Sequence, residues 1–310
     1  MLLDPRERFA VSSLGWSDHG ALWVLDTDKA TARTYALSNA KYLGLHAGND
    51  RSFSVVHHFD NERLEITAHS FDEPAAILSR CIVSGDNCSI EGPLDPWKSL
   101  ARHYVAYIER ANWADFALIT IQDSGTVTVK TFDWYDDSYD KGYQGIVGVT
   151  AVPGSDHLLI SVQRSSRVIV CSADGRKLGE FTLADAHGNP KLLFLKGKSE
   201  LWADDYDTLL ALEPGTWQIR QSLRLQPSAS GTAEFIGQFA FTIDESYCAV
   251  ARPFSGDVVV LEPLNLQTRF RAQVGAQPLE VALMRDRRVY ARDWKSGVLL
   301  QGTATESDLA

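Results

Sequence analysis

Ala251-Arg252-Pro253-Phe254-Ser255-Gly256-Asp257-Val258-Val259-Val260-Leu261-Glu262-Pro263 reads as a strand end, a polar corner carrying one aromatic ring, and a second strand closed by an acid and a turn. About forty residues on, the same order returns in Ala291-Arg292-Asp293-Trp294-Lys295-Ser296-Gly297-Val298-Leu299-Leu300-Gln301. Working back toward the N-terminus, it recurs at Trp202-Ala203-Asp204-Asp205-Tyr206-Asp207-Thr208-Leu209-Leu210 and around Arg164-Ser165-Ser166-Arg167-Val168. The first copy runs from Ser13 through Trp16, Asp18 and His19 to Asp26. Two weaker copies surround Leu64-Glu65-Ile66 and Phe116-Ala117-Leu118.

Hydrophobic residues alternate with period 2 through most of the chain, and turn residues punctuate the runs, which is the pattern of short antiparallel strands. Leu25, Thr67, Ile121, Cys171, Leu212, Leu261 and Leu300 mark the ends of successive strands, at gaps of roughly 40–55 residues. A four-stranded sheet repeated at that period is what a β-propeller requires. The reading is therefore all-β: a single propeller domain over 1–310, with seven blades of four antiparallel strands. Six blades fit if the two ends share one, because the first unit lacks a convincing inner strand and the last stops near Gly302.

The stretches 278–300 (PLEVALMRDRRVYARDWKSGVLL) and 238–270 (QFAFTIDESYCAVARPFSGDVVVLEPLNLQTRF) resemble blades of the YVTN-type and WD40-like bacterial β-propellers. The resemblance spans nearly the whole chain as a blade pattern. The Gly-His and Trp-Asp signatures of true WD40 blades are missing, so it implies the fold and no particular activity.

The chain has 310 residues and a formal net charge of −10, and 45% of it is hydrophobic. Such a balance suits a globular chain. The acidity argues against nucleic acid, whose phosphates need a concentrated basic surface. No apolar run is long enough to span a membrane as a helix, and the start is too charged for a secretion signal, so the expected location is cytoplasmic. Cys171 and Cys248 lie in apolar strands and read as buried thiols. Cys81 and Cys88 could close a loop only in an oxidising compartment.

No hydrolase elbow, zinc helix, phosphate loop or dinucleotide fingerprint occurs, and the eight histidines are scattered. His57 and His58 are expected on opposite faces of one strand. Neither a cofactor nor a metal is expected. What stands out is acid interleaved with aromatics, in 132–143 and in 202–207.

The corners between second and third strands should share one face with the connections between blades. That face collects Trp16, Trp113, Trp134, Tyr135, Asp136, Asp137, Tyr139, Tyr206 and Trp294 as the expected partner-binding residues. Phe254, Asp205, Asp257 and Trp97 are expected nearby. The turns at 153–156, 173–176 and 213–216 fall on the opposite, plainer face. The expected function is non-catalytic protein binding (scaffold, regulator or toxin-neutralising type) to a partner with a basic surface. Two alternatives stay open: a lactonase-like hydrolase or lyase with a channel metal, drawing on Asp60, Glu62, Asp115, Asp204, Asp205 or His187, and a sugar-binding propeller.

Overall fold

The computed structural model describes residues 1–14, 20–38, 42–47, 51–58, 63–84, 87–98, 103–110, 113–122, 124–132, 146–162, 166–183, 190–195, 197 and 199–303. More than half of the chain is strand, and the described strands pair in chain order into seven antiparallel sheets. The first sheet comprises β1 (Leu2–Leu3), β2 (Phe9–Leu14), β3 (Gly20–Asp26) and β4 (Thr31–Ser38). The second has five strands: β5 (Tyr42–Ala47), β6 (Ser52–His58), β7 (Arg63–Ser70), β8 (Ile77–Ser84) and β9 (Asn87–Glu91). A four-residue helix, α1 (Asp95–Lys98), precedes the third sheet of β10 (His103–Arg110), β11 (Trp113–Ile121) and β12 (Val127–Phe132).

The fourth sheet is β13 (Ile146–Ala151), β14 (His157–Val162), β15 (Arg167–Ser172) and β16 (Lys177–Thr182). The fifth is β17 (Leu192–Leu195), β18 (Glu200–Asp205), β19 (Thr208–Leu212) and β20 (Ile219–Arg224). The sixth is β21 (Phe239–Phe241), β22 (Cys248–Arg252), β23 (Asp257–Glu262) and β24 (Gln267–Gln273). The seventh has three described strands, β25 (Pro278–Leu283), β26 (Arg288–Asp293) and β27 (Leu299–Thr303). Strand number thus departs from a uniform four. The missing inner strand of the first unit is supplied locally, because Leu2 and Leu3 pair with Val11 and Ala10.

The chain divides into two compact units, one of residues 1–146 with 173–175 and the other of 147–172 with 176–310. In the second unit, middle strands such as Val258-Val259-Val260 are buried on both faces, which explains their unbroken β-branched runs. Fourth strands such as β20 alternate between exposed and half-buried positions, as an edge strand should. The ladder between third and fourth strands shifts register at the same place in four sheets: at 68/69, 170/171, 211/212 and 260/261. The repeat is therefore clearer in backbone geometry than in residue identity. One core joins Trp202, Phe239, Cys248, Val250 and Leu261 between the fifth and sixth sheets, and another joins Val258, Val260, Val281, Leu283 and Val289 between the sixth and seventh.

In the first unit Trp97 is 2% exposed and belongs to the core with Leu64, Ile66 and Ile119, so it does not sit on the expected face. Its helix turns the indole inward, where burying so large a ring is strongly favourable. Also buried there is a chain of hydrogen bonds. His57 Nε2 meets Thr67 Oγ1 at 2.9 Å, Thr67 Oγ1 meets His69 Nε2 at 2.8 Å, and His69 Nδ1 meets the Pro74 carbonyl at 3.0 Å. Because a carbonyl only accepts, His69 carries its proton on Nδ1, Thr67 donates to His69, and His57 donates to Thr67. Burial lowers the pKa of His69 to about 4, so the ring is neutral and structural. The His58 side chain lies outside the described residues.

All four cysteines are free thiols. Cys81 pairs in register with Ile90, and Cys88 with Val83, so the two do not face each other across the ladder. Burial pushes the Cys81 thiol up to about 12.

Candidate functional site

Three corners and one connection of the second unit meet in a cluster of aromatic rings. Tyr206 forms the tip of the β18–β19 hairpin, where Asp205 still pairs with Thr208 and only two residues make the turn. So tight a connection puts Tyr206 at φ 54°, a left-handed conformation uncommon for an aromatic residue. The residue is 54% exposed. Phe254 lies in the four-residue β22–β23 corner and is 40% exposed; Trp294 lies in the β26–β27 corner and is 47% exposed. These last two corners share one backbone form. Gly256 N bonds Arg252 O, Gly297 N bonds Asp293 O, and both glycines have positive φ, at 68° and 65°.

The hub is Phe235, which is half-buried on the connection between β20 and β21. That connection is a compact loop held at both ends by the Tyr206 hairpin. Leu225 N donates to Asp207 O at 2.7 Å, and Ile236 N donates to Tyr206 O at 2.7 Å. Phe235 lies 6.1 Å from Tyr206 with planes 26° apart, and it meets Phe254 at 5.3 Å and Trp294 at 5.6 Å in edge contacts. Just beyond, Gly237 lets the loop press on the next sheet, where a Cβ would come within 2.5 Å of the Leu279 carbonyl. One ring from each of three sheets is thus gathered on a fourth ring.

The acids around this cluster hold backbone in place. Glu234, 2% exposed, accepts from Phe254 N at 3.0 Å, Ser255 N at 2.8 Å and Ser255 Oγ at 2.6 Å. In the next corner Asp293 accepts the equivalent three donors: Lys295 N at 3.0 Å, Ser296 N at 2.7 Å and Ser296 Oγ at 2.6 Å. Two corners of the same form therefore take the same carboxylate cap, one from within the turn and one from the preceding loop. Burial opposes the charge on Asp293, but the Ser296 hydroxyl and the surrounding amides outweigh it and hold its carboxyl below the ordinary range.

Where the sixth-sheet corner lacks an acid of its own, Arg252 stands instead. It binds Asp257 through two contacts of 2.7 Å, both residues being buried. Burial works against the guanidinium charge, while Asp257 and Glu234 keep it charged. Asp205 accepts from Ser166 Oγ at 3.2 Å, and Asp207 pairs with Arg224 at 2.8 Å. Asp204 accepts the Lys191 amide at 2.5 Å, and the Lys191 ammonium reaches the Gly237 carbonyl. Desolvation raises the Asp204 carboxyl to about 6, with Lys191 pulling the other way.

Asp205 and Asp257, expected as solvent-facing acids, are 2% exposed. The physical reason is that the packed corners leave the Ser166 hydroxyl and the Arg252 guanidinium in need of acceptors, and short acidic side chains meet that need. Of the nine expected contact residues, Tyr206 and Trp294 are brought together around Phe235. Trp16, Trp134, Tyr135, Asp136, Asp137 and Tyr139 lie outside the described residues; Trp113 begins β11, and its side chain is likewise outside them. Phe235 escaped the sequence reading. Its one signal was a lone aromatic beside an acid, following the small, polar stretch from Pro227 to Thr232.

Among the enzyme candidates, Asp204 and Asp205 are buried at the end of β18. Asp60, Glu62 and His187, and the side chain of Asp115, lie outside the described residues. Among the described residues no three His, Cys, Asp or Glu side chains gather as a metal site would need. No helix there is long and apolar enough to cross a membrane.

No protein-family description matches the sequence, and no curated protein does. Solved structures do match. The β-propeller domain of Cps50 (Swd1) from Myceliophteria thermophila superposes with a TM-score of 0.68 at 12% identity, over 98% of this chain and 95% of that one. The fold is a β-propeller. The periplasmic gluconolactonase of Pseudomonas aeruginosa has a TM-score of 0.59 at 15% identity, covering 96% of each chain. A putative 6-phosphogluconolactonase from Bacteroides fragilis has 0.58 at 13%, covering 94% of this propeller and 92% of the other chain. At such identities the likeness extends to the fold alone.

Proposed function

We propose that this propeller is a non-catalytic protein-binding module and that its contact surface includes the Tyr206–Phe235–Phe254–Trp294 cluster. The observation that carries the reading is the exposure of three rings from three successive blades around one hub. Large rings left in water hydrate poorly, and aromatic residues dominate binding energy at interfaces. A net charge of −10 would draw a basic partner toward the propeller over longer range.

The test is a comparative pull-down from the native host. A Tyr206→Ala, Phe254→Ala and Trp294→Ala triple variant should lose proteins that the wild type retains. A control altered in the plain turns, Asp174→Ala with Glu213→Ala, should retain them. Loss in the control with full retention by the triple variant would place function on the other face. A second reading, lactone hydrolysis, draws on the two gluconolactonase-type structures of the same fold. Turnover of glucono-lactone by purified protein would favour it over the binding module.

A further inference from the structure

We infer that the aromatic cluster receives an arginine side chain from a basic segment of the partner, stacking the guanidinium on rings backed by buried carboxylates. This rests on the protein-binding reading and specifies its chemistry. The first support is geometric. Tyr206 and Phe235 lie within 26° of parallel, whereas Phe254 and Trp294 stand about 75° from Phe235. A planar cation therefore finds ring faces in two orientations, and arginine is the side chain that joins planarity to permanent charge.

The second support is charge. Glu234 is buried beside Phe235 and under the Phe254 corner, and Asp293 is buried beside Trp294. The groups that donate to these two carboxylates are neutral amides and hydroxyls, which leave their charge in place. Arg252 faces two carboxylates, Asp257 and Glu234, and cannot neutralise both. Arg224 is taken up by Asp207. Low dielectric behind the rings lets these charges add to the negative faces of the aromatics. Two lysines oppose these charges: Lys295, exposed next to Trp294, and Lys191, whose ammonium reaches the Gly237 carbonyl and acts on Asp204.

An apolar segment would use the rings equally well but would gain nothing from the carboxylates, and this difference makes the inference testable. The full chain is labelled with fluorotryptophan, and the Trp294 resonance is assigned by its loss in Trp294→Phe. The probe is acetyl-Gly-Arg-Gly-Arg-Gly-amide, with versions carrying lysine, citrulline or leucine in place of arginine. The arginine peptide should shift the Trp294 resonance saturably. Citrulline, which keeps the shape without the charge, should bind about tenfold more weakly, and lysine roughly fivefold more weakly. Lys295→Ala should tighten arginine binding about twofold, and added salt should weaken it.

Phe235→Leu keeps the apolar bulk and removes the ring face, so it should lose most of the arginine shift while the protein stays folded. If Phe235→Leu unfolds the protein, Phe254→Leu makes the same comparison at an exposed position. Equal binding by citrulline or leucine peptides overturns the inference, as does the lack of any saturable shift. If the peptide fails while the pull-down still depends on the rings, the arginine assignment alone falls. If the arginine peptide binds but the pull-down is indifferent to the rings, the protein-binding reading falls instead.

Discussion

Asp204 and His69 are buried titratable groups whose pKa values move in opposite directions. Asp204 has its carboxyl raised from 3.8 to about 6, so the folded chain holds an extra proton between these values. Its burial penalty is fully present above pH 6 and is relieved as the pH falls toward 4. His69 is lowered from 6.5 to about 4. The stability it contributes as a neutral ring is intact above pH 6.5 and is lost as the pH falls toward 4. The two slopes oppose each other across nearly the same window. Asp204→Asn should therefore be more stable than wild type at pH 8. It should also lose stability more steeply between pH 6.5 and 4, by up to roughly 3 kcal/mol, since each tenfold change in proton affinity is worth about 1.36 kcal/mol. Urea denaturation at stepped pH measures this, and superimposable wild-type and variant profiles would contradict it.

Hairpin β22–β23 shows how one element supports the next. Arg252 and Asp257 are direct cross-strand partners in its last rung, and Glu234 reaches the same corner from the preceding loop. Removing one member of a buried ion pair leaves the other uncompensated, at a cost of about 3–5 kcal/mol. Arg252→Met strands two carboxylates, whereas Asp257→Leu leaves the arginine with Glu234. Arg252→Met should accordingly be the more damaging, and the double variant should recover part of the loss. Chemical denaturation of the three variants decides it; an Asp257→Leu variant weaker than Arg252→Met would mean that Glu234 is not coupled to the arginine.

For the molecule as a whole, stability comes from apolar cores between successive sheets, such as that of Trp202, Val250 and Leu261, and not from covalent staples. A chain of this length buries roughly three quarters of its unfolded surface without cross-links. All four thiols are free, three of them buried. The melting temperature should be unchanged by mild reductant and by a chelator, and a clear fall with either reagent in differential scanning calorimetry would overturn this.

Period-2 alternation, turn residues and the recurring corner were enough to reach an all-β propeller from the sequence, because strand formation depends on local pattern and each blade repeats it. The corners of Tyr206, Phe254 and Trp294 were legible for the same reason. Which acids face water was not legible. Asp205 and Asp257 look like any surface acid in one dimension, and only the packed corner shows the hydroxyl and guanidinium that claim them. Phe235 was invisible as a hub, since its role depends on a loop pinned at Asp207 and Tyr206 and on rings 29 residues before it and 59 after it in the chain. Local alternation decides which residues become strands; which side chains then meet is decided by long-range packing, where a buried acceptor goes to whichever donor the fold brings near.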